Sequence, residues 1–150
     1  MESTYDYTEL VDTLIEVVKT TTGLVLIESN SAGKQSDYSF WTYTFTSPYI
    51  PITNDVVNGE VFECVISLTN HSLSSLESLN YATLLHKKLR EFDSRMAFYD
   101  KNITVVSTGK IGKRDSLISI EYERTTGFDL RLRIKDQFKE TIPNMENIEI

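Results

Sequence analysis

The tightest constraint on what this chain folds into is the stretch from Ser116 to Lys135, S-L-I-S-I-E-Y-E-R-T-T-G-F-D-L-R-L-R-I-K. Ile118, Ile120 and Tyr122 share one parity, with Ser119, Glu121 and Glu123 on the other. Phe128, Leu130, Leu132 and Ile134 then alternate with Asp129, Arg131, Arg133 and Lys135. A period of two puts successive side chains on opposite faces of a strand, so the pattern predicts two half-buried antiparallel strands. Thr125-Thr126-Gly127 reads as the turn between them, with Gly127 free to take a positive φ because it lacks a Cβ. The charged face of this hairpin is turned to water or to a partner.

The rest of the chain supplies what such a sheet packs against. Tyr7 to Thr22 carries Leu10, Val11, Leu14, Ile15 and Val18 at helical spacing, with Asp6 as N-cap, Glu9 three residues on and Gly23 as the stop. Leu24–Glu28 reads as a short strand and Ser29–Asp37 as a loop. Tyr38–Ser47 is a strand with Trp41, Tyr43 and Phe45 on one face and Thr42, Thr44 and Thr46 on the other. Pro48 and Pro51 lack backbone donors, so the connection from Ser47 to Gly59 belongs at an edge or in a loop. Glu60–Thr69 is the next strand, its inward face Phe62, Cys64, Ile66 and Leu68. From Ser72 to about Tyr99 a stripe of Leu76, Leu79, Ala82, Leu85, Leu89 and Phe92 predicts a long helix. The Phe92-Asp93-Ser94 neighbourhood is a place where it can divide, the shorter piece burying Met96 and Phe98. Asn102–Ser107 is a strand with Ile103 and Val105 inward, and Thr108–Asp115 a loop.

The expected fold is therefore α+β, in the order αβββαβββ. It has one mostly antiparallel or mixed sheet of about six strands, with two helices packed on it. Residues 1–136 form one domain and 137–150 an acidic C-terminal tail. No regular βαβ alternation points to a doubly wound nucleotide-binding fold.

Composition narrows the function classes. With 15 basic and 22 acidic residues, the net charge of −7 disfavours a surface that wraps nucleic acid. The single Cys64 cannot close an intrachain disulfide. It reads as core packing, because a reactive thiol needs an exposed, electropositive setting. The polar, acidic N-terminus and the lack of a long apolar run predict a protein made and folded in the cytosol, with no membrane partner.

No catalytic group emerges, and the chain is expected to be no enzyme. The only histidines, His71 and His86, read as capping or surface residues, and one cysteine makes no zinc site of familiar spacing. Glu121 and Glu123 with Asp115 faintly resemble a nuclease carboxylate set, but no lysine follows at the required spacing. The plainer expectation is an exposed strand face paired with Arg131 and Arg133 across the hairpin. Gly109 to Arg114 lacks the spacing of a phosphate-binding loop and is either a solvated hairpin tip or a basic loop touching an acidic partner through Lys110, Lys113 and Arg114. No cofactor or metal is implied.

The string Tyr122-Glu123-Arg124-Thr125-Thr126-Gly127-Phe128-Asp129-Leu130-Arg131-Leu132 resembles a segment of a phage neck and tail-terminator-like family. The opening helix fits that family, as do the aromatic strand running into Ser47-Pro48 and the strand-then-helix unit from Glu60 to Phe92. The resemblance spans roughly Thr8 to Ile134. It implies a structural virion component at the head-proximal end of a bacteriophage tail tube, usually a hexameric ring. Such a ring ends tube polymerisation and contacts the tail tube protein and the head's connector. DNA would pass through its lumen without specific binding. Under this resemblance Asp129, Arg131 and Arg133, with Lys110, Lys113 and Arg114, are the expected interface residues, and Glu146–Ile150 is expected to add to a neighbour's sheet edge. A head-completion or stopper connector, and a non-virion tail-assembly chaperone or adaptor, are the alternatives.

Overall fold

The computed structural model describes residues 5–30, 35–54 and 59–136. Three helices, α1 (Tyr7–Thr22), α2 (Ser75–Lys88) and α3 (Phe92–Tyr99), cover one face of a six-stranded sheet. The strands are β1 (Leu26–Glu28), β2 (Phe40–Pro51), β3 (Val61–Ser72), β4 (Ile103–Thr108), β5 (Gly112–Lys113) and β6 (Arg124–Lys135). Their order is β1-β2-β3-β6-β4, with β5 also on β6, and only the β1–β2 pair is parallel. The α+β class and the count of six strands in a mixed sheet follow the sequence reading, although β5 falls in the expected Thr108–Asp115 loop. The third helix departs from it.

The hairpin expectation fails in an informative way. β6 runs unbroken from Arg124 to Lys135, so Thr125-Thr126-Gly127 lies inside a strand and is no turn. β3 pairs with β6 along its full length, from Val61 opposite Lys135 to Ser72 opposite Arg124. Its other edge is taken by β4 beside Leu130–Ile134 and by β5 beside Thr126–Gly127. A strand has two hydrogen-bonding edges, and both are filled. Residues 116–123 therefore have nothing to pair with. They coil into successive turns instead, with Ile120 N–H donating to Ser116 O at 2.8 Å and Glu123 N–H to Ser119 O at 2.8 Å. Ile118, Ile120 and Tyr122, expected inward, are exposed.

α1 matches its sequence signals. Asp6 accepts from Thr8 N–H at 2.9 Å, and Gly23 (φ 76°) takes the left-handed cap, its N–H donating to Lys19 O at 2.9 Å. The predicted long helix divides at Leu89–Glu91, earlier than the sequence indicated. α2 buries Ser78, Ala82 and Leu85. Leu76 sits two residues, about 200°, round the helix from Ser78 and so faces water. Phe92 and Met96 are also exposed, while Phe98 fills the core. The break is set by packing, since α3 has to swing round to lay Ser94 and Phe98 inward against α1 and β4.

Between these layers lie Leu10, Leu14, Trp41, Phe62, Ile66, Leu68, Leu85, Phe98, Phe128 and Leu130, all fully buried. β2 runs on through both prolines to Pro51, with register shifts at Phe45/Ser47 and Ser47/Ile50. β1 covers β2 only as far as Tyr43, so Pro48 and Pro51 occupy an open edge where a missing N–H costs nothing. There Tyr7 Oη donates to Pro48 O at 2.8 Å, and Tyr5, Tyr7 and Tyr49 pack their rings about Phe62. Tyr49 donates to the Glu60 carboxylate, which pushes its phenol up to about 12.

Candidate assembly surfaces

The sheet face opposite the helices carries no covering layer among the described elements, and Glu63, Asp129, Arg131 and Arg133 on it form ion pairs within the chain. Glu63, on the central strand β3, accepts from Arg131 Nε at 2.7 Å through one oxygen. Its other oxygen accepts from Arg133 Nη2 at 2.8 Å and Nε at 3.0 Å. These hydrogen bonds, Arg131's first, hold the Glu63 carboxyl below its ordinary 4.5. Arg131 and Arg133 thus meet a β3 residue, and the expected pairing with Glu121 and Glu123 does not form. Cross-strand register accounts for it, since Glu63 stands opposite Arg133.

The motif residues Tyr122 to Asp129 turn out to be the fastening of the β5–β6 connection. Arg114 lies over the outer face at Gly127, where it donates to Ser67 Oγ, to Thr69 Oγ1 at 3.0 Å and to Asp129 Oδ1 at 3.2 Å. Gly127 has no side chain because that space is taken. A Cβ there would overlap the Leu68 carbonyl oxygen and lie 3.0 Å from Thr69 Cα and 3.1 Å from Arg114 Cζ. At the root of the connection Asp115 accepts from Arg124 Nη2 at 3.1 Å and from Thr125 N–H at 2.8 Å. The Arg124 guanidinium foremost, then the Thr125 amide, hold the Asp115 carboxyl below its ordinary 3.8. Glu123 Oε2 is shared by His71 Nδ1 at 3.0 Å and Tyr38 Oη at 3.1 Å, while His71 Nε2 meets Thr42 Oγ1 at 2.9 Å and its ring stacks on Phe40. His71 is thus a connector between strands, and His86 Nε2 meets Gly109 O at 2.9 Å.

Of the expected interface residues, the structure brings Arg114 and Asp129 together and sets Arg131 and Arg133 beside each other on Glu63. Lys113 donates to Ser75 at the start of α2, so this part of the basic loop is tied down and is no free hairpin tip. Lys110 projects from the surface. The segment 137–150 lies outside the described residues. Sequence reasoning missed two apolar surfaces. One is the turn bearing Leu117, Ile118, Ile120 and Tyr122, and the other a groove of about 110 Å³ at α3 and β4 lined by Phe92, Met96, Tyr99 and Val105. The first was hidden by an alternation that a buried strand shares, and the second by a helical stripe that a core-facing helix shares.

Among the described residues, no group of three or more His, Cys, Asp or Glu is placed to hold a metal ion. A groove of about 570 Å³ between α1 and α3 is lined by a mixture of carboxylates, Thr13, Thr20, Thr21, Lys88 and Lys101. Burial first, and the neighbouring Glu63 charge second, push the Cys64 thiol up to about 12. A thiol-specific reagent should therefore leave Cys64 unmodified in the native protein and titrate about one equivalent after denaturation. Rapid native labelling would contradict its core position.

The described residues form an α+β body, three helices on one mixed sheet, with ion pairs on its outer face and apolar surfaces exposed at the turn and at α3 and β4. The sequence matches the family described as phage neck terminator protein over residues 8–150, and the chain belongs to that family. It is accordingly a structural protein of the phage neck, located in the virion and in contact with other head and tail proteins. No curated protein matches the sequence. Among solved structures, one chain of 13% identity aligns with a TM-score of 0.50 over 90% of this chain and 93% of its own length, a likeness of fold. No helix among the described residues is long and apolar enough to cross a membrane.

Proposed function

We propose that this protein closes the head-proximal end of the tail tube as a homo-oligomeric ring, a hexamer, which stops tube polymerisation and joins the tail to the head's connector. The observation that carries this reading is the family match over residues 8–150. The fold supports it physically. A ring wall needs a stiff sheet, and here the outer face is laced by Glu63 with Arg131 and Arg133, and by Arg114 with Asp129. The net charge of −7 suits a lumen through which DNA slides without phosphate contacts. In this reading residues 1–136 are one domain, with 137–150 a separate acidic tail. Asp129, Arg131 and Arg133, with Lys110, Lys113 and Arg114, lie on or near faces that meet neighbours, their internal pairs fixing the charge pattern presented.

The test is electron microscopy of lysates from a phage with a nonsense mutation in this gene. Overlong, headless tail tubes beside DNA-filled heads are the expected result. Tails of normal length that fail to join heads would move the protein to a stopper position on the head side. Absence of the protein from finished wild-type particles would make it an assembly chaperone.

A further inference from the structure

We infer that the apolar turn of one copy inserts into the α3–β4 groove of a second copy, and that this contact, oriented by Glu121 against Arg95, is the repeated joint of the oligomer. The inference rests on the ring reading above and names the surfaces that make it.

The turn is built to present apolar side chains. Leu117 is 93% exposed, Ile118 86%, Tyr122 58% and Ile120 40%, all within six consecutive residues. Scattered apolar residues on a surface are ordinary, but four on one ordered turn form a contiguous patch that water covers poorly. The turn is also held in place. Its start is fixed by Asp115 on Arg124 and Thr125, its end by Glu123 on His71 and Tyr38, and Ser119 at its centre is buried. A projecting apolar element that is already ordered loses little conformational freedom on docking.

The receiving surface lies at the other end of the molecule. Phe92 is 70% exposed and Tyr99 66%, and with Met96, Ile103 and Val105 they shape a groove of about 110 Å³. That is the space of about three or four waters, enough for one aliphatic side chain. The root of the turn is at Arg124, and groove residue Ile103 pairs with Ile134. Ten residues of extended strand separate them, roughly 33 Å at about 3.3 Å each. The turn of a given copy cannot reach its own groove, so only a second copy brings the two together.

Charge picks the same partner. Glu121 on the turn and Arg95 on the groove wall have no ion pair or side-chain hydrogen bond among the described residues, as is true of other surface charges such as Asp93, Lys110 and Lys135, so both are free to meet a partner. An unpaired acid on the projection and an unpaired base beside the pocket give each apolar surface an oriented complement. Repeated head to tail, with each projection seated in the next copy's pocket, the contact is heterologous and makes a ring when its rotation closes on itself.

The experiment measures subunit assembly of the full chain by light scattering after size-exclusion chromatography, with circular dichroism to verify folding. Ile118→Asp should give folded monomers. Glu121→Arg and Arg95→Glu should each raise the concentration for half-assembly by about tenfold or more, since each juxtaposes like charges. The double variant should restore assembly. Mixing the two single variants should also restore it, because each then offers the surface the other needs in an alternating ring. If the wild-type chain assembles and Arg95→Glu changes nothing, the joint is elsewhere and the ring reading survives. If assembly needs Ile118 but not Arg95, the turn has a different seat and this inference is overturned. A wild-type chain that stays monomeric at all accessible concentrations overturns this inference, while the ring reading stands or falls on the mutant-phage result.

Discussion

Replacing Gly127 by valine is expected to cost about 3 kcal/mol or more, the upper range for overpacking, and so to lower the unfolding midpoint by about 6–12 °C in a domain of this size. Gly127 stands opposite Thr69 on the outer face, near the start of β6, where the strand is paired with β3 on one edge and β5 on the other. A Cβ there overlaps the Leu68 carbonyl oxygen and lies 3.0 Å from Thr69 Cα, both backbone atoms that cannot move without opening the β3–β6 ladder. The side chain would also displace the Arg114 guanidinium from Ser67, Thr69 and Asp129. Thermal unfolding followed by circular dichroism checks it. A valine variant with wild-type stability would mean that this glycine serves only a local backbone preference. The contrast with Gly23 sharpens the test. Gly23 sits at φ 76° with open space around its Cβ position, so substitution there strains the cap alone. Its cost should be about 1 kcal/mol.

The second large effect belongs to Glu63. It is 8% exposed and accepts from both Arg131 and Arg133, so lysine at this position removes three accepted hydrogen bonds and adds a third cation. Both arginines are about half exposed and can turn to water, which limits the loss to about 2 kcal/mol. Glu63→Gln should cost less, because its amide oxygen still accepts from one arginine. Equal costs for the two variants would show that packing of the side chain, and not its charge, is what matters.

Glu63 also contributes, with Asp115, to the pH dependence. Glu63 and Asp115 both have folded pKa values below their ordinary 4.5 and 3.8. A depressed carboxyl binds its proton less readily in the folded state, so its stabilisation is complete above the ordinary value and lost as pH falls through the folded one. Stability should thus be level near neutrality and decline on acidification below about 4.5, with a shallower decline in Glu63→Gln. Denaturant midpoints measured between pH 7 and pH 3 decide it. A Glu63→Gln variant with the wild-type acid slope would exclude Glu63 as a cause.

Much of the fold could be read from residue types alone. Asp6 and Gly23 bracket a periodic helix, the Trp41-Tyr43-Phe45 and Phe62-Cys64-Ile66-Leu68 alternations mark β2 and β3, and Phe128-Leu130-Leu132-Ile134 marks the inward face of β6. Each signal is local, because capping geometry and the alternation of a strand's two faces are set by near neighbours in the chain. The charged residues on the outward parity, Asp129, Arg131 and Arg133, were likewise legible, although their partners were not.

Tertiary structure decided the rest. Whether 116–123 becomes a strand depends on whether an edge is vacant, and β6 has none once β3, β4 and β5 are in place. Whether Leu76 and Phe92 are core depends on where α2 and α3 divide, and that follows from the packing of Ser94 and Phe98. Periodicity tells which residues share a face. Only the assembled sheet and helices decide which faces are covered, since burial is a property of neighbours distant in sequence. The apolar turn and the α3–β4 groove lay in that gap. Ile118, Ile120, Tyr122, Phe92 and Met96 read as core in the sequence and stand at the surface in the fold.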